Sequence, residues 1–404
     1  MQKQNNFLFS SLFKFLNKKF ITLIFILIIF YLILNQIYKL NFLSLNLNSN
    51  LSSKQKLLRI AQVSLLVEST PPKNYGGAER ITSYLTEELV RRGHKVTLFA
   101  TNDSVTLAKL VAKWPTFGAN NVPLERYEWL FAQLRKNIKN FDIIHFQIPV
   151  FYEQIQTLHR EGYPVLLTTH SLMIWSQSLG NEQKEIPLVS ISRDQQSHSV
   201  GKPNFIANVY HGIPINLYKF IERPNIERPY LAFLGRISES KLPDWAIKIA
   251  IKAGYNLKMA ARFDKGDKYW NDTIKPLIEA NKNTVEFIGE INDKQKNEFL
   301  GNAVAFLFPI NWAEPFGMVM IEAMACGTPV IARRTGSVPE VIEDGISGIL
   351  FDTIEQGIEA VNIAKDMDRS IVRKAFENRF TLSTMTDNYL KVYNKIISMK
   401  NKIN

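Results

Sequence analysis

Two glutamates eight residues apart, Glu314 and Glu322, stand in an apolar and small-residue segment that reads NWAEPFGMVMIEAMACGTPV from Asn311 to Val330. A buried carboxylate is costly unless a partner compensates its charge. Two carboxylates can form an acid–base pair, or each can accept hydrogen bonds from ligand hydroxyls. Because Gly317 leads into an apolar helical run, Glu314 is predicted in a loop and Glu322 about a turn and a half into the helix.

Two permanent cations follow another apolar run further up the chain. Arg236 and Lys241 belong to the segment GRISESK, which comes directly after the predicted strand Tyr230–Leu234. Guanidinium and ammonium groups at the carboxyl end of a strand could neutralise a diphosphate. Loop arginines and lysines are more often only solvated, but this location favours the diphosphate.

Two glycine turns lead into predicted helices. Gly76 and Gly77, in the segment KNYGGAER, could let an anion approach the free N–H groups of a helix amino terminus, although a plain tight turn is the alternative. Gly336 precedes Ser337, the predicted N-cap of a later helix. This second turn is either a phosphate cradle or only a capped helix.

Short apolar runs alternate with helical segments from Arg59 onward, which indicates parallel sheets covered on both faces. The predicted strands are Ile60–Val67, Lys95–Ala100, Phe141–Phe146, Val165–Thr169, Leu188–Ser192 and Phe205–Tyr210, then Tyr230–Leu234, Leu257–Ala261, Val285–Ile288, Ala303–Phe308 and Val330–Ala332. The predicted helices are Ala78–Arg92, Pro243–Ala253, Trp270–Ala280 and Val319–Ala325. The fold class is therefore α/β, with two Rossmann-like domains that face each other across a cleft and bind ligands at the carboxyl ends of their strands.

The amino-terminal region contains the apolar run FITLIFILIIFYLIL, which begins at Phe20. Extended to Tyr38, it is close to the roughly 20 residues that span a bilayer as a helix. A cleaved signal peptide and a translated upstream region are alternatives, but no A-x-A cleavage site follows the run. We predict a basic segment over residues 1–19, a transmembrane anchor over residues 20–38 and a tether over residues 39–58.

Charge and cysteine content exclude several classes of partner. The formal net charge is +12, but residues 1–58 hold seven lysines and no acid, so the rest of the chain is only mildly basic. Without a dense Lys/Arg run there, no nucleic-acid partner is expected. Cys326 is the only cysteine, and the six histidines show no HExxH spacing, so neither a disulfide nor a metal or other cofactor is predicted.

Six spaced motifs run through the chain from about Arg59 to Tyr393. They are Y-G-G-A-E-R, G-R-x-x-x-x-K, E-P-F-G-x-x-x-x-E, A-x-G-T-P-V-I-A, G-x-x-P-E-V-I-x-D-G-x-x-G and R-F-T…Y-L-x-V-Y. Together they closely resemble the retaining glycosyltransferases of family 4, which are GT-B enzymes with nucleotide-sugar donors. The domains then predicted are an acceptor-side domain over residues 59–212, a linker over 213–229, a nucleotide-sugar-binding domain over 230–375 and a helix over 376–404 that crosses back to the first domain.

The resemblance implies donor-binding roles for the two glutamates and their neighbours. Glu314 corresponds to the glutamate that holds hydroxyls of the donor sugar, helped by backbone N–H groups around Phe316 and Gly317. Glu322 corresponds to the glutamate that binds the ribose hydroxyls. The turn at Gly336 and Ser337 is also expected on the donor side.

The resemblance also implies how the reacting groups are held. Arg236 and Lys241 correspond to the pair that neutralises the diphosphate, and the glycine loop at residues 76–77 lets that diphosphate approach. His170 ends the strand segment VLLTTH and corresponds to a histidine close to the reacting carbon; a satisfied core histidine is the alternative. Many family members have Asn-Gly-Val-Asp where this chain has His211-Gly-Ile-Pro-Ile-Asn.

The predicted activity is metal-independent transfer of a sugar from a nucleotide-sugar donor to a glycan or lipid-linked acceptor, with retention of configuration. As the glycosidic bond stretches, cations and helix amino termini stabilise the departing diphosphate, which by resemblance helps to deprotonate the acceptor. A GT-B-fold nucleotide-sugar epimerase and an inactive sugar-binding scaffold are the alternatives. Since nucleotide sugars are expected in the cytosol, the membrane-anchored catalytic domains are predicted on the cytoplasmic side.

Overall fold

The computed structural model describes residues 56–73, 76–118, 121–171, 185–199, 203–225, 227–264 and 266–400. The described residues from Leu58 onward form one compact unit. The predicted transmembrane anchor at residues 20–38 lies outside the described residues. Within the described ranges, every helix is too short or too polar to cross a bilayer.

The first sheet has seven parallel strands in the order β3-β2-β1-β4-β5-β6-β7. Its strands are β1 (Arg59–Val63), β2 (Lys95–Phe99), β3 (Lys109–Val111), β4 (Ile143–Phe146), β5 (Val165–Thr168), β6 (Leu188–Ser190) and β7 (Phe205–Asn208). The helices between them are α1 (Gly77–Arg91), α2 (Leu124–Asn137), α3 (Tyr152–Arg160) and α4 (Arg193–Ser197). Every residue of β4 and β5 is buried, as expected for central strands of a parallel sheet covered on both faces. We call this part of the molecule the N-terminal lobe.

The second sheet has six parallel strands in the order β10-β9-β8-β11-β12-β13, and we call the part built on it the C-terminal lobe. Its strands are β8 (Tyr230–Arg236), β9 (Asn256–Arg262), β10 (Val285–Gly289), β11 (Ala305–Phe308), β12 (Val330–Arg333) and β13 (Gly348–Phe351). Its helices are α5 (Pro243–Ala253), α6 (Lys275–Ala280), α7 (Asp293–Gly301), α8 (Met318–Ala325), α9 (Val338–Val341), α10 (Ile354–Ala364) and α11 (Arg369–Arg379), and a π-helical turn, Trp270–Ile274, precedes α6. The two predicted parallel α/β domains are thus confirmed.

Local sequence fixes the helices that follow the site-bearing strands. Helix α5 begins with Pro243 in its first turn and ends at Gly254, whose φ of 76° suits glycine. Helix α7 begins with a capping box in which the Asn292 and Gln295 side chains bond each other's backbone N–H groups. These caps set where each helix starts and therefore where the loop before it ends.

The last helix, α12 (Leu382–Lys400), packs on the N-terminal lobe. Its buried side chains include Tyr389 and Tyr393, which join a core cluster with Ile60 and Leu85. Phe376, by contrast, lies in a core cluster of the C-terminal lobe. The segment that crosses between the lobes therefore begins after Phe376, at Leu382.

Contacts between the two lobes include an ion pair, hydrogen bonds and ring packing. Arg80 of α1 forms an ion pair with Asp293 of α7. The Glu340 carboxylate accepts hydrogen bonds from the first backbone N–H groups of α4 and from the Tyr210 hydroxyl, at 2.6–2.9 Å. The Phe316 ring packs against His211 with 4.9 Å between ring centroids. The residues that follow β7 and β11 therefore meet at the junction of the lobes.

Candidate functional site

Glu314 lies in the loop between β11 and α8 and forms an ion pair with Lys241, from the loop after β8. The indole N–H of Trp312 donates to the same carboxylate oxygen, Glu314 Oε2, at 3.1 Å. The Lys241 ammonium also lies 5.1 Å from the centroid of the Trp312 ring. With the Glu314 side chain 13% exposed and that of Lys241 22% exposed, the pair is only partly screened by solvent.

Backbone contacts hold the loop of Glu314 in place. The Asn311 N–H donates to the carbonyl of Ser240 at 2.7 Å, and the Ser337 N–H donates to the Glu314 carbonyl at 3.0 Å. At Gly336, with φ of 57°, an added Cβ would lie 2.4 Å from the Glu314 nitrogen. Only glycine permits this approach, so the loops after β8, β11 and β12 are joined around Glu314.

Ser337 occupies the N-cap position of α9, but its hydroxyl makes no capping hydrogen bond. Its φ and ψ of −72° and −7° are helical, whereas a capping residue needs extended geometry to turn its oxygen toward the helix N–H groups. The expectation of a side-chain cap is therefore wrong, and the buried residue contributes its backbone N–H instead. Whether the turn at 336–337 contacts the donor stays a prediction.

Glu322 lies inside α8, only 3% exposed, and both of its oxygens accept hydrogen bonds from the Lys296 ammonium at 3.0 Å. Lys296 also lies 3.3 Å from Asp293, which in turn binds Arg80 of the other lobe. Burial lowers the pKa of Lys296, but the charges of Glu322 and Asp293 outweigh it and the net pKa is raised. Lysine partners therefore compensate both predicted carboxylates.

Phe316 and Gly317 shape the start of α8. Phe316 is 2% exposed, and its ring contacts His211 and Phe380, so its side chain is a packing group at the lobe junction. Gly317 has φ of 77°, and a Cβ there would lie 2.6 Å from the Met320 methyl carbon. The predicted donor contacts at 316 and 317 thus concern backbone N–H groups, and they stay predictions.

On the N-terminal lobe, Gly76 and Gly77 begin α1, a 15-residue helix. A Cβ at Gly76 would lie 2.8 Å from the Cβ of Pro72, whereas one at Gly77 would meet nothing within 4 Å. The first glycine is required for packing, whereas a side chain at the second would meet open space. A helix amino terminus attracts anions through its free N–H groups and dipole.

His170 follows β5 and its Nε2 lies 2.7 Å from the Gln147 side-chain oxygen. Because an amide oxygen can only accept, this contact assigns the imidazole hydrogen to Nε2 and leaves Nδ1 as an acceptor. The ring stacks on His211 with 5.3 Å between centroids. Burial lowers the pKa of His170 to about 4, so the imidazole is neutral at pH 7.

A buried polar network lies behind His170. The Gln147 amide nitrogen donates to the side-chain oxygen of Gln62 at 3.0 Å, and Gln62 donates to the Tyr393 hydroxyl at 3.0 Å. That hydroxyl lies 2.8 Å from Nδ1 of His145, whose pKa burial lowers well below its ordinary value. The network connects the crossing helix α12 to the residue that orients His170.

Arg236 is the last residue of β8 and is exposed. It therefore stands at the same sheet edge as Lys241 and Glu314, while Gly76 and His170 stand at the corresponding edge of the other sheet. Among the described residues, no group of three His, Cys, Asp or Glu side chains is arranged to hold a metal ion. The expectation that no cofactor is needed stays a prediction.

Two family models match the chain, one in each lobe. The model described as "Glycosyl transferases group 1" matches residues 215–378, and the model described as "Glycosyltransferase Family 4" matches residues 75–190. These matches support a glycosyltransferase of the group 1/family 4 type. The earlier resemblance is confirmed at this level.

Several curated proteins resemble this chain. D-inositol 3-phosphate glycosyltransferase from Mycolicibacterium smegmatis is 29% identical over 43% of this chain and 41% of its own length. Spore coat protein SA from Bacillus subtilis is 25% identical over 80% of this chain and 96% of its own length. An uncharacterized 41.2 kDa protein in the cps region of Klebsiella pneumoniae is 26% identical over 47% of this chain and 55% of its own. The chain therefore spans about half the length of two of these relatives.

Solved structures share the two-lobed fold of this chain. A glycosyltransferase from Rickettsia africae superposes with a TM-score of 0.67 and 18% identity, over 85% of this chain and 99% of that one. Anabaena Alr3699/HepE, crystallised in complex with UDP-glucose, gives a TM-score of 0.63 and 18% identity, over 84% and 100%. At such identities the likeness shows the fold alone, and that fold is consistent with GT-B.

The prediction from sequence did not include several residues that bear on the candidate site. Lys296 and Asp293 were not identified, although their spacing of three on a helix is typical of an ion pair. Gln147 was also missed, although it directly follows the buried strand β4 at the edge where ligands bind. Arg80 stood in the quoted motif Y-G-G-A-E-R, but only its glycines were given a role.

Proposed function

We propose that the protein transfers a sugar from a nucleotide-sugar donor to a glycan or lipid-linked acceptor, with retention of the anomeric configuration and without a metal ion. The observation that carries this proposal is the Lys241–Glu314 pair at the carboxyl edge of the second sheet. Both assigned bonds to Glu314 use Oε2, so among the described residues Oε1 accepts none. Oε1 can therefore accept a hydroxyl of the donor sugar, while the ammonium faces the diphosphate.

Glu322 supports the same donor orientation at the nucleoside end. Its carboxylate keeps Lys296 as counter-ion, and each carboxylate oxygen has two lone pairs. Ribose hydroxyls can therefore donate to Glu322 without displacing Lys296. Because Glu314 and Glu322 are eight residues apart, in the loop before α8 and inside that helix, they bind opposite ends of one donor.

The leaving group needs positive charge, and both lobes supply it. Arg236 and Lys241 follow β8, and the amino terminus of α1 at Gly76–Gly77 offers N–H groups from the other lobe. As the bond between the anomeric carbon and the phosphate oxygen breaks, the electron pair goes to the diphosphate, whose charge these groups stabilise. The departing phosphate accepts the acceptor's proton on the same face, which preserves the configuration.

His170 suits a neutral role in this reaction. Its pKa of about 4 keeps it uncharged at pH 7, so it does not repel the positive charge that develops at the anomeric carbon. Its Nδ1 is left as an acceptor, since Nε2–H donates to Gln147. We therefore place His170 as a hydrogen-bonding group and not as a general acid.

Nucleotide release tests this proposal. The donor panel begins with UDP-glucose, because the structure of Anabaena Alr3699/HepE contains it, and donors are first ranked by thermal shift. Acceptor-dependent release supports transfer, acceptor-independent formation of an epimerised sugar indicates an epimerase, and no turnover with any donor contradicts the proposal. NMR of the product linkage then decides retention, and an unchanged rate in EDTA is expected.

Variants at the two glutamates refine the test. Glu314→Ala is expected to lower donor use by removing the acceptor for the sugar hydroxyl, and the exposed Glu286→Ala provides a control. Because Glu314 is proposed to act on the sugar, the variant should lose affinity for the nucleotide sugar but keep affinity for the free nucleotide. An equal loss of affinity for the nucleotide sugar and the free nucleotide would show that Glu314 does not bind the sugar.

We also propose that residues 20–38 anchor the protein in a membrane with both lobes on the cytoplasmic side. The support is the apolar run itself and the need for a cytosolic nucleotide sugar. Protease added to intact cells is expected to leave the lobes uncut. Cleavage of the lobes from outside would overturn this orientation.

A further inference from the structure

The carboxylate of Glu340 reaches the N-terminal lobe from a position just after the turn at residues 336–337. Glu340 belongs to α9, and its backbone N–H donates to the Ser337 carbonyl at 2.9 Å. The Ser337 N–H in turn donates to the Glu314 carbonyl at 3.0 Å. One short stretch of chain therefore contacts the Glu314 loop through its backbone and the other lobe through a carboxylate.

Three donors of the N-terminal lobe bind this carboxylate. Oε2 accepts from the Arg193 N–H at 2.8 Å and from the Tyr210 hydroxyl at 2.9 Å, and Oε1 accepts from the Asp194 N–H at 2.6 Å. Burial and the bond to Glu340 raise the pKa of Tyr210 to about 12, so the phenol keeps its proton and donates it. Bonds to an ionised acceptor are stronger than neutral ones. Glu340 therefore fixes both the start of α4 and the segment after β7 to the C-terminal lobe.

Helix α4 carries the side chain that holds the backbone on both sides of His170. The Gln195 side chain is fully buried, and its amide nitrogen donates to the carbonyls of Thr169 and Ser171 at 2.9 and 2.8 Å. Its amide oxygen accepts the Ile191 N–H at 2.8 Å, which fixes the orientation of the amide. The position of His170 thus depends on the position of α4.

The segment after β7 supplies a second support for His170. His211 directly follows Tyr210, and its ring stacks on that of His170 with 5.3 Å between centroids. Each of the two supports, Gln195 and His211, directly follows a residue that donates to Glu340. The backbone and the ring of His170 are therefore both held by groups that Glu340 ties to the other lobe.

We propose that Glu340 is a positioning residue, which sets the place of His170 from the opposite lobe and so couples the turn at residues 336–337 to the imidazole. Its carboxylate does not touch the substrate but acts through α4 and through residues 210–211. Without this carboxylate, both supports of His170 lose their tie to the donor side. That His170 takes part in the reaction rests on the transfer function proposed above, whereas the placement of its ring does not.

Histidine NMR of the full chain tests the placement without turnover. Protein with isotope-labelled histidines is titrated with acid as the wild type and as Glu340→Gln, and the His170 signal is assigned by its loss in His170→Gln. Whichever way the amide turns, a glutamine at 340 leaves one of the two bonded N–H groups of α4 without its acceptor oxygen. The loosened imidazole should gain contact with water, and its pKa should rise from about 4 toward 6.5.

The matched control is Glu343→Gln, because Glu343 follows the same short helix but pairs with Arg379 in its own lobe. This control should leave the pKa of His170 unchanged. An equal pKa in wild type and Glu340→Gln would overturn the proposal, and so would an equal rise in the control. If far-UV circular dichroism shows that Glu340→Gln is unfolded, Tyr210→Phe decides in its place by the same criterion, since it removes one donor and leaves the carboxylate to α4.

A double-mutant cycle on kcat separates this inference from the transfer function. Glu340→Gln should lower kcat roughly 10- to 100-fold, as for a misplaced group near the reacting atoms, and leave the donor KM within about threefold, since the proposed donor contacts at Glu314 and Glu322 are kept. In the His170→Gln background the same change should cost little more, because it acts through His170. Additive losses would contradict the proposal. If the wild type releases no nucleotide from any donor, the transfer function fails while the NMR titration still decides the role of Glu340.

Discussion

The two sides of the lobe junction differ in the charge of their side chains. On the C-terminal side, Glu314 and Glu322 are ion-paired with Lys241 and Lys296. On the N-terminal side stand stacked neutral imidazoles, and burial lowers the pKa of both His170 and His211. In the proposed reaction, the ion-paired side would face the departing diphosphate, and the neutral imidazoles would face the positive charge that develops on the sugar.

The largest expected effect is the loss of stability when an ion pair on the C-terminal side of the junction is broken. Lys296→Ala would leave Glu322, whose side chain is 4% exposed, without its counter-ion and should lower the free energy of unfolding by roughly 3–5 kcal/mol. Urea denaturation monitored by fluorescence measures this free energy of unfolding. The double variant Lys296→Met with Glu322→Met should recover much of this loss, because no unpaired charge stays buried. A single variant as stable as the wild type would contradict the pairing.

A catalytic effect of similar size is expected at the other pair. Lys241→Ala should lower kcat by about 10²- to 10³-fold, the usual cost of removing one group that stabilises transition-state charge. The matched control is Lys248→Ala on α5, since Lys248 pairs with Asp244 one helical turn away. Steady-state nucleotide release gives both values. If the two variants lose the same activity, Lys241 has no special role.

The pH dependence of stability tests whether the imidazole of His170, on the N-terminal side, is neutral. His170 has a folded-state pKa of about 4 and an unfolded value near 6.5, so only the unfolded chain gains this proton between those pH values. Its contribution to stability is complete above pH 6.5 and is lost as the pH falls toward 4. The difference in unfolding free energy between wild type and His170→Gln should therefore change by up to about 3 kcal/mol over this window. A pH-independent difference would show that the imidazole is not held neutral.

The smallest expected effect concerns the ion pair that joins the two sides. Arg80→Gln should lower the free energy of unfolding by about 1 kcal/mol, because its partner Asp293 is one-third exposed. Arg91→Gln on the same helix is the control, since that side chain is 53% exposed and pairs only locally. Urea denaturation compares the two variants. An Arg91→Gln variant that loses more stability than Arg80→Gln would reverse this ranking.

The sheets were predictable because their strands are short, apolar and bounded by glycine and polar turns. Strand β4, for example, was predicted to include all four residues that the structure assigns to it. Helix α2 was not predicted, although Tyr127, Leu130 and Leu134 recur at helical spacing and are its buried residues. The helical spacing of these apolar residues is enough to predict the helix.

The lysine partners of the two glutamates could not be predicted in the same way. Lys296 pairs with Glu322 across 26 residues and Lys241 with Glu314 across 73. Such contacts depend on which strand ends become neighbours, and only the strand order brings β8 beside β11. The site residues follow from motifs, but their pairing follows from topology.

Helix α12 has a consequence for biosynthesis. The residues from Leu382 to Lys400 complete the hydrophobic core of the lobe that contains β1, and Tyr393 closes the polar network behind His170. A ribosome translates the strands of that lobe first and this helix last. Until this helix has left the exit tunnel, the face of the N-terminal sheet on which it packs is covered only in part, by α1. Among the described elements, α12 is translated last, and it completes the core of the lobe that is translated first.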